Sequence, residues 1–267
     1  MTAWICATCG NQQADTTAPP RSCAICEDPR QYVGWEGQRW TTLEELAAAG
    51  YRSDIRDLEP RLYGVGVAPS FGIGQRGLLI RTAAGNVLWD VPGYMDDAAV
   101  RALRPLGGVA TISASHPHFY GVMVEWAHAF DAEIVLPEAD HAWIMRPDGA
   151  IRLYTDRATV APGVTLVTCG GHFPGSAVLV WTEGAEGRGA LLAGDTLTVV
   201  PDRDWISIMW SYPNLVPLSV ATIRSVEATV MGLDFDRIYG GWWGRVVRAD
   251  AKAKVTASVR RYVEGIG

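Results

Sequence analysis

The 267-residue sequence contains no apolar run of about eighteen residues, the minimum for a membrane-spanning helix. Its opening, MTAWICATCG, lacks the charged n-region and apolar h-region of a secretory signal. These absences set helical membrane insertion aside and make the cytoplasm the expected location. Basic charge is also short. Lys and Arg number 23 against 29 Asp and Glu, a formal net charge of -6, which works against a general role on nucleic acid or anionic lipid, since both reward a basic surface. There is no internal repeat of fixed period and no low-complexity tract.

What is present describes a globular chain. Hydrophobic residues make up 48% and charged residues 19%, a composition that buries a core and does not stay disordered. The length allows one full domain with a small appendage, and not a second large domain. Eleven tryptophans exceed the usual need of such a core and hint at an aromatic-walled pocket or interface. The expected partner is a small molecule, with no nucleic acid and no membrane. A homo-oligomer is compatible with the sequence.

The first forty residues differ from the rest. Two short knuckles, CATCG and CAICE, flank a polar, proline-containing loop with no apolar periodicity, so they form only a small stapled unit. Residues 41–63 read as a helical connector. In TTLEELAAAG, Thr41 with Glu44 makes a capping box and Gly50 a stop. From about residue 64 to 267 strands and helices alternate. GLLIRT and NVLWDV suit a hairpin whose second strand delivers Asp90. DDAAVRALRPL starts a helix near Asp96, GGVATISASH is a buried strand emptying into HPHFYG, and Val122, Trp126 and Phe130 have helical spacing. VTLVTC, AVLVWTE, ALLAGDTL and DRIYGGWW follow as strands, and the chain closes on an amphipathic helix.

Four of the five cysteines form two pairs, Cys6-x2-Cys9 and Cys23-x2-Cys26, with thirteen residues between them. Four thiolates at knuckle spacing are a strong metal signal in a reducing compartment, and zinc in a structural role is the first choice. The CxxCG of the first knuckle also resembles rubredoxin, which would mean iron, but the second knuckle lacks the matching glycine. Only Arg21 lies as a strong base between the knuckles, a poor endowment for a nucleic-acid-binding ribbon.

His116 and His118 stand two apart after a predicted strand, where an extended backbone held by Pro117 turns both imidazoles to one side. His172 lies in TCGGHFPGSAVL and Asp195 in LLAGDTL, each again just after a strand. Four potential ligands thus leave strand ends. The HxH, GGHFPGS and LLAGDTL segments resemble the metallo-β-lactamase superfamily, which includes glyoxalase II-like metallo-hydrolases, over about residues 64 to 267. The resemblance implies an α/β fold, the αββα sandwich of two face-to-face sheets with helices outside and ligands on loops at one edge.

That resemblance assigns His116, His118 and His172 to the three histidines of the family's first metal site and Asp195 to its bridging carboxylate. The second-site aspartate and histidine fall on Tyr120 and Gly121, and the family's late histidine falls around Trp242 and Trp243. Neither set supplies ligands, so one ion is expected at the histidines: zinc, or alternatively iron or manganese. Together with the thiolate site this gives two ions per chain.

The chemistry so implied is attack by metal-activated water on an ester, thioester, lactone or amide of a small, weakly charged substrate. Asp195 serves as fourth ligand or as general base, and Tyr120 as hydrogen-bonding partner of the water, as acid, or as a wall of the pocket. Phe119, Phe173, Trp210, Tyr212, Trp242 and Trp243 fall in or beside the predicted loops and are the candidate substrate walls. The scarcity of Lys and Arg in those loops argues against phosphodiester cleavage. His128, His141 and Cys169 read as structural or exposed. Two other readings share the site: a mononuclear iron oxygenase of the same fold, and a non-catalytic metal-binding module.

Overall fold

A computed structural model describes residues 1–266; Gly267, the last residue of the expected third segment, lies outside the described residues. Two sheets carry the chain. The seven-stranded sheet opens with an antiparallel meander, Arg52–Glu59, Leu62–Ala68, Gly77–Ile80 and Val87–Trp89, and continues in parallel through Thr111–Ser113, Glu133–Pro137 and Ile151–Tyr154. Parallel neighbours need crossovers. Helices Asp97–Leu103 and Met123–Phe130 supply the first two. The six-stranded sheet runs Arg157–Ala161, Val164–Thr168, Ala177–Trp181, Ala190–Gly194, Arg237–Gly240 and Val246–Val247, and its one parallel pair is bridged through helix Val220–Met231. Helix Ala251–Ile266 ends the described chain.

The layering follows from the two-residue alternation of strands buried on both faces. Leu78, Ile80, Val87 and Trp89 meet Leu166, Leu179, Trp181 and Leu192 between the sheets. Their neighbours turn outward: Leu79 and Leu88 pack with Trp126 and Leu103 under one helical layer, and Val178, Leu191 and Ala193 with Val226, Val230 and Val255 under the other. Three apolar interfaces between four layers make the expected αββα sandwich.

Three local expectations shift. The first helix spans Leu43–Ala48 and is capped by Thr42, whose side chain accepts from the Glu45 N–H, one residue beyond the predicted box. Gly50 does take the left-handed φ, +85°, that stops it. The rest of the connector is no helix: Arg52–Glu59 is an edge strand of the first sheet, and Glu59 accepts a hydrogen bond from Tyr239 Oη of the second sheet at 2.6 Å. Lastly, His116 is extended, but Pro117–Phe119 is a 3-10 turn with Pro117 at its start, so the two histidines converge through a turn.

The cysteine module is pinned to the main body. Ile5–Cys6 pairs with Trp40–Thr41, the Gln12 N–H donates to Gly121 O at 3.1 Å, and the Ala14 N–H to Met145 O at 3.0 Å. Gly10 and Gly93 touch so closely that a Cβ on Gly93 would lie 2.7 Å from Gly10 Cα.

Two leucines calibrate this packing. Leu192→Ala, in the inter-sheet core, should lower unfolding free energy by about 3 kcal/mol, whereas Leu215→Ala, at a side chain 76% exposed, should change it by less than about 0.5 kcal/mol. Denaturant titration reads both. Equal losses would contradict the assigned layers.

Candidate metal centres

The histidine site is assembled at strand ends by buried backbone hydrogen bonds. Asp90, at φ +60°, turns its carboxylate back so that Oδ1 accepts the Ser115 N–H at 2.7 Å, fixing the residue before His116. Burial pushes the Asp90 carboxyl up to about 7. The GGHFPGS turn closes on itself. Ser176 O accepts from the N–H groups of Cys169 and Gly170 at 2.7 and 2.9 Å, and Ser176 Oγ accepts from the Phe173 N–H at 2.7 Å. Asp140 Oδ1 accepts from the Gly175 N–H at 2.7 Å, and a Cβ on Gly175 would lie 2.6 Å from Asp140 Cγ. That close approach is what the second-last residue of the motif needs glycine for.

The three imidazoles are buried, and one ring nitrogen from each lies within 4.8 Å of the others. His172 Nδ1 faces Trp210 O at 2.8 Å; a carbonyl only accepts, so Nδ1 carries the proton and Nε2 the lone pair. His116 Nδ1 has Ser115 Oγ at 3.0 Å. Nε2 of His116, His118 and His172 is in every case buried with no hydrogen-bond partner. Burial, then the neighbouring histidines, hold His116 well below the ordinary imidazole range. Burial does the same to His118 and brings His172 down to about 4. Neutral rings with free, convergent lone pairs suit a metal ion of borderline softness.

Asp195 lies just outside this triangle, with Oδ2 3.9 Å from His116 Nε2 and Oδ1 accepting from Thr198 Oγ1. Burial pushes its carboxyl up to about 7. It also lines a cleft of about 500 Å³ together with Tyr212, Trp242, Trp243 and Arg245. Phe119 and Phe173 pack on the histidines, with ring centres 4.8 to 5.8 Å apart. Tyr212 packs on His172 at 5.3 Å and donates its hydroxyl to Asp195 O at 2.7 Å, while Trp210 contributes the carbonyl on His172.

The positions that stand where second-site ligands would be are otherwise engaged. Tyr120 is buried in the helix-side core; its hydroxyl is unpartnered, Asp140 and Tyr154 are its titratable neighbours, and its ring is not among those packed on the histidines. Gly121, at φ +49°, is pressed on Val91 and Pro92, whose carbonyls would lie 2.4 Å from an added Cβ. Trp242 Nε1 donates to Ile73 O at 2.9 Å. Trp243 lies over Gly64 and Gly66, where any Cβ would strike its ring. Among the described residues the histidine trio and the cysteine quartet are the two groups arranged to hold an ion. His128 is paired with Asp148 at the surface, His141 is exposed, and burial pushes the Cys169 thiol up to about 12.

All four module cysteines are buried and free of disulfides. Cys6 and Cys26 Sγ lie 3.6 Å apart, and Cys9 and Cys23 Sγ 3.8 Å apart. A tetrahedral ion with metal–sulfur distances of about 2.3 Å separates its sulfurs by about 3.8 Å, so the quartet has the dimensions of a tetrahedral metal–thiolate site. Gln38 Nε2 donates to Cys6 Sγ at 3.2 Å, the kind of outer contact that steadies a thiolate.

Sequence reasoning missed four participants. Arg30 of the cysteine module reaches Phe173, with its guanidinium carbon 4.3 Å from the ring centre. Asp140 braces the His172 turn. Asn11 and Gln75 send side-chain amides to His118 O at 3.4 and 3.5 Å. None carries a local signal, because each arrives by tertiary docking.

The comparisons agree with the fold. The fold is that of the metallo-β-lactamases. The DIM-1 metallo-β-lactamase superposes with a TM-score of 0.59 at 11% identity, covering 81% of this chain and 99% of that one. VMB-1 gives 0.61 at 12% identity over the same shares. A B3 metallo-β-lactamase with an active-site glutamic acid gives 0.53 at 17% identity over 90% and 97%. No protein-family model matches the chain. Within this fold the chain belongs to the family of a Bacillus subtilis (strain 168) protein, the uncharacterized protein YmaE. The two are 43% identical over 268 residues, covering 100% of this chain and 97% of the relative.

Asp140→Ala should loosen the turn that aims His172 and weaken metal affinity at the histidine site about 10- to 100-fold, with Asp140→Asn, which keeps an acceptor, losing less. Competition with a chromophoric chelator measures this. An unchanged affinity in both variants would remove Asp140 from the site.

Proposed function

We propose that the protein is a metal-dependent hydrolase that uses one ion at the histidine site on a small ester, thioester, lactone or amide. The observation that carries this reading is the convergence of three buried, unpartnered Nε2 atoms beside Asp195, at the end of an aromatic cleft. His116, His118 and His172 would hold the ion, with Asp195 just outside them and placed to act on its water. Bound there, the ion supplies a water acidified toward neutral pH and polarisation of a carbonyl.

The chain's own groups do the remaining work. Asp195, with Oδ1 fixed by Thr198, keeps Oδ2 toward the histidines and so can take the water's proton as general base. Its burial supports that role, since a carboxyl pushed up toward 7 holds a proton more readily than an exposed one. Trp242, Trp243 and Tyr212 form a largely apolar wall that favours a flat or aromatic acyl group. The occupation of the second-site positions by Gly121 and the two tryptophans supports a single ion, and the thiolate quartet supports a separate structural zinc.

Protein purified without added metal should carry close to two ions per chain, and His116→Ala should lose one of them together with all turnover on a panel of ester, thioester and lactone substrates. Iron at the histidines accompanied by oxygen uptake would sink the hydrolase assignment. So would an unmodified protein that turns over nothing on the panel with its metals in place.

A further inference from the structure

Arg30 lies only four residues beyond Cys26, yet it stands at the other metal site. Its guanidinium carbon is 4.3 Å from the centre of the Phe173 ring, 5.4 Å from Trp143 and 5.6 Å from Trp210. Phe173 is the ring that packs on all three histidines. A cation is therefore set beside the histidine site by a module that is separate from it in sequence.

The segment that carries it is built in. Ser211 Oγ donates to Arg30 O at 2.9 Å, and Asn214 Nδ2 donates to Pro29 O at 3.0 Å and Gln31 O at 3.1 Å. Asp28 Oδ1 accepts the Arg30 N–H at 2.9 Å, and Asp28 Oδ2 accepts from Nη1 at 3.2 Å. This fixes one corner of the guanidinium and leaves the opposite edge. Nε is buried without a partner, and among the described residues no hydrogen bond is made by Nη2. The side chain as a whole is 16% exposed, while Nε itself is fully buried.

Two parallel N–H groups on one guanidinium edge match the two oxygens of a carboxylate. An unpartnered N–H sunk among three aromatic rings is costly unless something completes it. We propose that Arg30, delivered by the thiolate module, is the specificity-determining residue that anchors a carboxylate on the substrate while its scissile group sits at the histidines. A single cation, already shared with Asp28, suits the one charge of a carboxylate better than the two of a phosphate monoester. The inference rests on the metal-hydrolase reading for the word substrate, but the ligand preference it asserts belongs to the metal site and is read without turnover.

The test uses the full chain with zinc at the thiolates and cobalt at the histidines, titrated with 3-mercaptopropionate and with its neutral isostere 3-mercaptopropanamide. The sulfur-to-cobalt charge-transfer band reports each Kd. The unmodified protein should favour the carboxylate about tenfold or more, and Arg30→Gln should bring the two thiols within about twofold of each other. Arg30→Lys, which keeps the charge and loses the fork, should retain part of the preference, and it serves in place of Arg30→Gln if the latter does not fold. Unchanged thiolate-bound zinc and thermal midpoint exclude simple disruption. No preference in the unmodified protein, equal weakening of both thiols in the variants, or loss of the preference through Arg245→Gln with Arg30 intact would each overturn the proposal. Failure of the ester panel alone would sink the hydrolase reading and leave this preference standing.

Discussion

Three buried imidazole nitrogens without hydrogen-bond partners are the constraint on which the rest of the structure turns. Leaving a buried acceptor unpaired costs on the order of 1–3 kcal/mol, so three of them together consume a large part of the roughly 5–15 kcal/mol by which a domain is stable. The surrounding structure must hold them in place until an ion completes them. It does so with main-chain geometry: Asp90 on Ser115, Asp140 on Gly175, Ser176 on Phe173, and the Trp210 carbonyl that fixes the His172 tautomer. Behind these stand two sheets whose inner faces share one core, giving the loops a rigid base.

The cysteine module belongs to the same arrangement. Its first knuckle meets the His118 turn through Asn11 and the loop after Trp89 through the Gly10–Gly93 contact, and its second is bonded to the segment around Trp210 and Tyr212 through Arg30, Pro29 and Gln31. An ion among the four sulfurs would therefore stabilise more than forty residues of ribbon, because both loops that frame the histidines lean on it.

Much of this was legible in the sequence. The convergence of the three histidines with Asp195 beside them was, because GGHFPGS and LLAGDTL encode backbone requirements as well as side chains: glycine where Asp140 crowds Gly175, and glycine again before Asp195, where a Cβ on Gly194 would lie 2.1 Å from Ser115 Oγ. The strands were legible as apolar runs, and the layers as what the family resemblance implies. The strand Arg52–Glu59 was not, since its RSDIRDLE run is an exposed edge whose conformation comes from pairing with Leu62–Ala68 and not from any apolar pattern. The shape of the HPH turn was missed because Pro117 serves a 3-10 start as well as an extended chain. Arg30 and Asp140 were out of reach for a different reason: their roles come from docking between segments distant in sequence. The paucity of basic residues in the ligand loops is real, yet a cation arrives from elsewhere.

The central proposal is a division of metal sites, in which four sulfurs would hold one ion and three histidines another. Anomalous diffraction from crystals of the natively loaded protein, recorded at the zinc and iron edges, tests it most directly. The account predicts two peaks, one equidistant from the Sγ atoms of Cys6, Cys9, Cys23 and Cys26 and one bonded to Nε2 of His116, His118 and His172. A third peak beside Asp195 on the Trp242 side, or an empty histidine site in fully loaded protein, would contradict it.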